Sequence, residues 1–188
     1  MNSALLIIDM ISPFDFPEAA SMQADLVRTA RQIRRLREAC HRSGRPVIYA
    51  NDNFAHWRSD FRELVAMASA SGETAKAVVA CLKPTPEDYF ILKPKHSAFL
   101  ATPLPVLLSK LGVDTLFLTG MTADACILST AVDANAREYR VRVVREAVAA
   151  LPERKRWAFS LMSASHAAQV VGVRTAMNCL GHAHADAS

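Results

Sequence analysis

Short runs of β-favouring apolar residues alternate along this chain with longer stretches whose apolar positions recur at helical spacing. Ala4–Asp9 is a continuous apolar run closed by a carboxylate, as expected of a strand buried on both faces. Val47–Ala50, Tyr89–Leu92, Thr115–Thr119, Val141–Val144 and Ala168–Val171 read as five further strands. Between them, helices are predicted over Asp25–Arg42, Phe61–Ser69, Thr74–Cys81, Leu104–Leu111, Asp124–Tyr139 and Glu153–Ala164. Pro13 and Pro17 make Ile11–Glu18 a loop, and the small polar tail Gly181–Ser188 is expected to fray. Strands separated by helices predict an α/β fold of three layers, α/β/α, around a six-stranded parallel sheet. With the strand order 3-2-1-4-5-6, ligands are expected beyond the carboxyl ends of the first and fourth strands, where the order reverses.

That topology directs attention to the residues closing the strands. Asp9 closes the first, Asp52 and Asn53 follow the second, and Lys93 follows the third. The fourth strand breaks at Gly120, and Cys126 follows in the first turn of the next helix. A cysteine there meets the positive end of the helix dipole and backbone N–H groups with no partner inside the helix. Cysteine, carboxylate and ammonium in one crevice suit acyl transfer. The thiol attacks a carbonyl, the carboxylate accepts its proton, and the ammonium offsets the negative charge. On this reading Lys93 and the helix start favour the thiolate while the Asp9 charge opposes it, so Asp9 and Cys126 titrate as a unit. Cys126 should alkylate selectively at mildly acidic pH, ahead of Cys40, Cys81 and Cys179.

Composition narrows the field. The 188 residues suit a single domain spanning the chain, and 51% hydrophobic with 21% charged residues is ordinary for a globular protein. Much of the basic excess behind the net charge of +4 lies in Arg28, Arg31, Arg34, Arg35, Arg37 and Arg42. These fit the solvated face of a helix whose inner positions are Leu26, Ala30, Ile33, Leu36 and Cys40. No aromatic residues interleave them, so no nucleic-acid partner is expected. The four cysteines are far apart and form no CxxC pair, which argues against a zinc knuckle or a disulfide framework. The N-terminal apolar run is short and has no basic flank, so neither a signal peptide nor a membrane association is expected, and the cytoplasm is the simplest location. No Gly-x-Gly-x-x-Gly follows the first strand, so no dinucleotide cofactor, or any other, is expected.

Three stretches together resemble the isochorismatase-like cysteine hydrolases, which include nicotinamidases and N-carbamoylsarcosine amidohydrolase. They are Ala4–Met10, Leu92–Phe99 with its Ser-Ala-Phe ending, and Leu118–Ala131 around Thr-Gly-Met-Thr-Ala-Asp-Ala-Cys. The resemblance implies a catalytic triad of Asp9, Lys93 and Cys126, with Lys95 competing for the lysine's place. It also implies a cis peptide at Met121–Thr122, which turns the Thr122 N–H to share an oxyanion hole with that of Cys126. Asp9 would take the thiol proton, return it to the leaving amine, and then activate the water that clears a thioester. The substrate implied is a small amide or carbamoyl compound. The alternatives are a vinyl ether hydrolase of the isochorismatase type and a non-catalytic binding or assembly member. Phe14, Asn53, Trp57 and Phe99 are candidates for the pocket. Metal-binding relatives carry Asp-x-His and a further histidine after the second strand. Here Asp52-Asn53-Phe54 lacks the first histidine, and Asp52 with His56 does not complete a site. No metal is expected, and activity should survive chelation. The resemblance implies the dimers or tetramers common in the family, and Trp157, Phe159, Leu161 and Met162 crowd one helix with apolar surface suited to a homo-oligomer.

Overall fold

In a computed structural model that describes residues 2–53 and 60–181, the sheet is built outward from β1 (Ser3–Ile8). Every residue of β1 is buried, and its side chains divide cleanly. Leu5 and Ile7 enter one apolar cluster, while Ala4, Leu6 and Ile8 enter the other. That is the period-two alternation of a strand covered by helices on both faces. β2 (Val47–Asp52) and β4 (Thr115–Met121) flank it, with β3 (Tyr89–Lys93), β5 (Arg140–Ala149) and β6 (Gln169–Val171) outside them. The six strands are all parallel in the order β3-β2-β1-β4-β5-β6, as the sequence predicts.

Four helices cover the first face: α1 (Ala19–Arg42), α2 (Phe61–Ala70), α3 (Glu73–Leu82) and α7 (Val173–Gly181). The second face carries α4 (Leu104–Lys110), α5 (Leu128–Asn135) and α6 (Pro152–Ala164). α1 begins six residues ahead of the predicted Asp25, because Ala19 and Met22 continue the buried stripe toward the N-terminus. Its arginines are exposed as expected, with one exception. Arg37 turns inward and donates to the Tyr49 hydroxyl and the Lys83 carbonyl, each at 2.8 Å, tying α1 to β2 and the end of α3.

Two further differences have clear causes. β5 runs on to Ala149, past the predicted Val144. Leu118 lies opposite Val143 and Gly120 opposite Val148, so β5 bulges through the exposed, strand-breaking Arg145-Glu146. α7 was not predicted from the sequence. Its Ala176 and Leu180, one turn apart, pack into the first cluster, and the Val173 N–H at its start donates to Glu146 Oε2 at 2.8 Å. Among the described residues, no helix is long and apolar enough to cross a membrane.

Candidate active site

The switch point between β1 and β4 gathers the chemistry. Where β1 ends, Asp9 adopts a left-handed backbone (φ +54°), and its N–H still bonds to the Ala50 carbonyl at 3.0 Å. Its carboxylate is 5% exposed and fully engaged. Oδ1 accepts from the Asp52 N–H at 2.8 Å, and Oδ2 lies 2.8 Å from Lys93 Nζ. Lys93 ends β3, opposite Asp52 in register, so its side chain must pass over β2 to reach Asp9. A long, fully buried chain does this, and Nζ also donates to the Lys95 carbonyl at 3.1 Å and lies 3.6 Å from Cys126 Sγ. The structure thus distinguishes the two lysines: Lys93 brings its ammonium to the site, while Lys95 is exposed and contributes a carbonyl.

β4 meets β1 closely enough to exclude any side chain at Gly120. An added Cβ there would lie 2.0 Å from the Ile8 carbonyl oxygen, and φ is +115°. The Met121–Thr122 peptide that follows is cis, as the resemblance implies. The predicted helix start at Asp124 takes a different form, a π-helical turn over Ala123–Ile127 that passes into α5. Its i→i+5 ladder begins where Ile127 N–H meets the Thr122 carbonyl at 3.1 Å. Cys126 lies just ahead of that bond, in the first turn, where the Ala125 N–H also bonds to the Thr122 carbonyl at 3.2 Å. The continuing helix ends at Asn135, short of Tyr139, and buries Ile127, Thr130, Ala131 and Ala134 while leaving Val132 exposed.

Electrostatics correct one expectation. Burial first and the Asp9 charge second push the Cys126 thiol up to about 12, with the Lys93 ammonium only partly opposing them. The resting sulfur is a thiol, so the predicted ready alkylation at mildly acidic pH does not hold. Burial also lifts Asp9 above the ordinary carboxylate range against the pull of Lys93. Burial works against the charge on Lys93, yet its pKa is raised, the neighbouring Asp9 charge leading the opposing effects, and the ammonium stays protonated. The arrangement is a thiol beside a carboxylate of raised basicity, with a fixed cation close to both.

The other predicted residues divide. Phe99 is 3% exposed in the second cluster, with its ring against Tyr139 (5.7 Å between centroids) and beneath Arg137 (5.2 Å), a core position rather than the predicted pocket wall. Phe14 is buried in the first cluster and lines a separate cleft between the starts of α1 and α3. Asn53 follows β2, and its side-chain oxygen and nitrogen are buried without hydrogen-bond partners. Trp57 and His56 lie outside the described residues. Among the described residues, no group of three His, Cys, Asp or Glu side chains could hold a metal, and the Asp52 backbone is committed to Asp9. A cleft of about 660 Å³ between α1 and α6, lined in part by Met22, Arg28, Lys155 and Phe159, touches none of Asp9, Lys93 and Cys126.

Sequence reasoning missed His96. Its Nδ1 lies 3.8 Å from Cys126 Sγ, and its side chain is exposed, whereas Asp9 and Lys93 are buried. The signal was its place between Lys93 and Ser97-Ala98-Phe99. That segment is pinned to α5: Ser97 Oγ donates to Asp133 Oδ2 at 2.5 Å, and the Ala98 N–H donates to Thr130 Oγ1 at 3.1 Å.

The family model of the isochorismatase domain matches residues 3–175, which include all of this site. The chain belongs to the isochorismatase family. Within it, the chain is 34% identical over 148 residues to the uncharacterized isochorismatase family protein YaaI of Bacillus subtilis, covering 79% of this chain and 81% of that one. It is 31% identical over 151 residues to the maleamate amidohydrolase of Pseudomonas putida, covering 77% and 71%. The N-carbamoylsarcosine amidase structure from Thermoplasma acidophilum superposes with a TM-score of 0.70 at 32% identity, covering 92% of this chain and 97% of that one. The isochorismatase fold thus joins this chain to relatives that include amidohydrolases, and the chain is a member of a hydrolase family.

Proposed function

We propose that this isochorismatase-family protein hydrolyses a C–N bond of a small amide or carbamoyl compound through a thioester on Cys126. The observation that carries the proposal is the placement of Lys93 Nζ, 2.8 Å from Asp9 and 3.6 Å from Cys126 Sγ, in a buried crevice. A thiol titrating near 12 needs a base at the moment of attack, and Asp9, lifted above the ordinary carboxylate range, is a stronger base than a solvated aspartate. As sulfur bonds to the substrate carbonyl carbon, the thiol proton passes to Asp9. Lys93 stays charged and stabilises the negative charge as it moves from carboxylate to sulfur. The N–H groups of Thr122 and Cys126 are assigned to the oxyanion. The C–N bond then breaks as the leaving nitrogen takes up a proton, and ammonia or an amine departs. Water adds to the thioester carbon with loss of a proton before the C–S bond breaks and the sulfur is reprotonated to the thiol.

The amidohydrolases among its relatives support C–N chemistry over ether cleavage. A panel of primary amides, ureides and carbamoyl compounds, assayed for ammonia release, tests the proposal. The expected result is turnover of at least one class by the wild type and none by a folded Cys126→Ala. An inert panel together with cleavage of a vinyl ether would replace this reading with the ether hydrolase.

A further inference from the structure

The triad surrounds only one side of the nucleophile. Asp9 and Lys93 approach Cys126 Sγ from the buried side, and both carboxylate oxygens of Asp9 already have partners. On the open side stands His96, with Nδ1 3.8 Å from the same sulfur and its side chain exposed. The leaving nitrogen must depart toward solvent, and the hydrolytic water must arrive from it. Imidazole is also the side chain best suited to give and take protons near neutrality.

His96 is held in place despite its exposure. The preceding carbonyl, of Lys95, accepts from Lys93 Nζ at 3.1 Å. The following residue, Ser97, donates to Asp133 Oδ2 and accepts the Phe99 N–H at 3.1 Å, and Ala98 bonds to Thr130. The backbone on both sides of His96 is therefore fixed, on one side to the triad lysine and on the other to the helix that follows the nucleophile. Such support makes a catalytic group precise.

We propose that His96 is a fourth catalytic residue, serving the leaving group and the water while Asp9 serves the thiol. The proposal rests on the covalent reading given above. In the first half, the S–C bond forms, and the thiol proton goes to Asp9. The C–N bond then breaks with its electron pair on nitrogen, which takes the Nδ1 proton of the protonated imidazole. In the second half, water adds to the thioester carbon and loses a proton to the neutral imidazole. The C–S bond breaks with its electron pair on sulfur, which takes back the proton held by Asp9. Both residues end as they began, and no co-reactant besides water is consumed. The division removes from Asp9 the tasks at the leaving group and the water that the family resemblance implies for it.

The test uses 4-nitrophenyl acetate, whose leaving group departs as a stable phenolate and needs no acid. Wild type, His96→Gln and Asp9→Asn are compared by rapid-mixing release of nitrophenolate and by peptide mass spectrometry of Cys126. His96→Gln should keep a burst within about threefold of the wild-type rate, because acylation by this ester does not use His96. Steady-state turnover should then fall about 100-fold, the lower range for loss of one acid–base group, and acetyl-Cys126 should accumulate. Asp9→Asn should lose the burst itself. In His96→Ala, added imidazole should restore turnover, since the site lies open to solvent. Wild-type deacylation in His96→Gln overturns the proposal, and so does an equal loss of burst and turnover without imidazole rescue. Absence of any acetyl-Cys126 in both the wild type and His96→Gln overturns the covalent reading itself, and the role of His96 with it.

Discussion

At the scale of single residues, the account rests on protonation states that the fold imposes. Asp9 must be ionised to receive the thiol proton, and its pKa lies above the ordinary aspartate value of 3.8. A carboxylate with a raised pKa is lost by protonation sooner as pH falls. The acid limb of kcat/KM should therefore turn down above the ordinary carboxylate range, with activity rising as pH increases through it. A limb at or below 3.8 would show that burial does not govern Asp9. Cys126 gives the complementary sign. Its thiol is held near 12, so alkylation by iodoacetamide should stay slow at neutral pH and climb only in strong alkali. Lys93→Met removes the one group that lowers this pKa and should push the rise higher still. An inflection below the ordinary thiol range in the wild type would mean a resting thiolate. The residue types at Asp9, Lys93 and Cys126 were legible in the sequence, because each closes or follows a strand. The state of the sulfur was not, because burial outweighs Lys93 and burial at one atom is a property of the assembled crevice. His96 escaped notice for a related reason, since only the folded Lys93–Phe99 segment brings it to the sulfur.

At the scale of elements, the site depends on how closely β4 lies against β1. Gly120 stands opposite Ile8 with φ +115°, and a methyl group there would collide with the Ile8 carbonyl. Gly120→Ala should destabilise the fold by about 3 kcal/mol or more, combining a forbidden backbone angle with a backbone clash. An unchanged urea midpoint would contradict that account of the strand contact. The strands were legible because apolar runs buried on both faces look alike wherever they occur. The misses fall where local sequence and tertiary contact disagree. The polar Arg145-Glu146 pair ended the fifth strand on paper, yet the bulge carries it through to Ala149. α7 is a short helix whose two buried positions, Ala176 and Leu180, have meaning only against the cluster they enter. The π-helical turn at Cys126 has no sequence signal distinct from that of an α-helix start.

At the scale of the whole molecule, the sheet order sets the crevice that holds Asp9, Lys93 and Cys126, and the helices decide which surfaces remain for partners. The four apolar residues noted on α6 divide on folding. Met162 is fully buried and Phe159 packs against the second cluster, whereas Trp157 and Leu161 are 63% and 54% exposed. Val132 on neighbouring α5 is exposed as well. A second copy covering this face predicts a dimer or larger species by light scattering, shifted toward monomer in Trp157→Ser/Leu161→Ser with the fold retained. A wild-type monomer at every concentration would remove the idea.

The central claim, covalent C–N hydrolysis at Cys126, is tested most directly by quenching the enzyme during turnover of whichever amide releases ammonia and mapping its peptides by mass. The account predicts the substrate's acyl group on Cys126 and on no other cysteine, and no adduct and no ammonia in a folded Cys126→Ala. Unmodified Cys126 under trapping conditions, with Cys126→Ala still hydrolysing the amide at the wild-type rate, would contradict it.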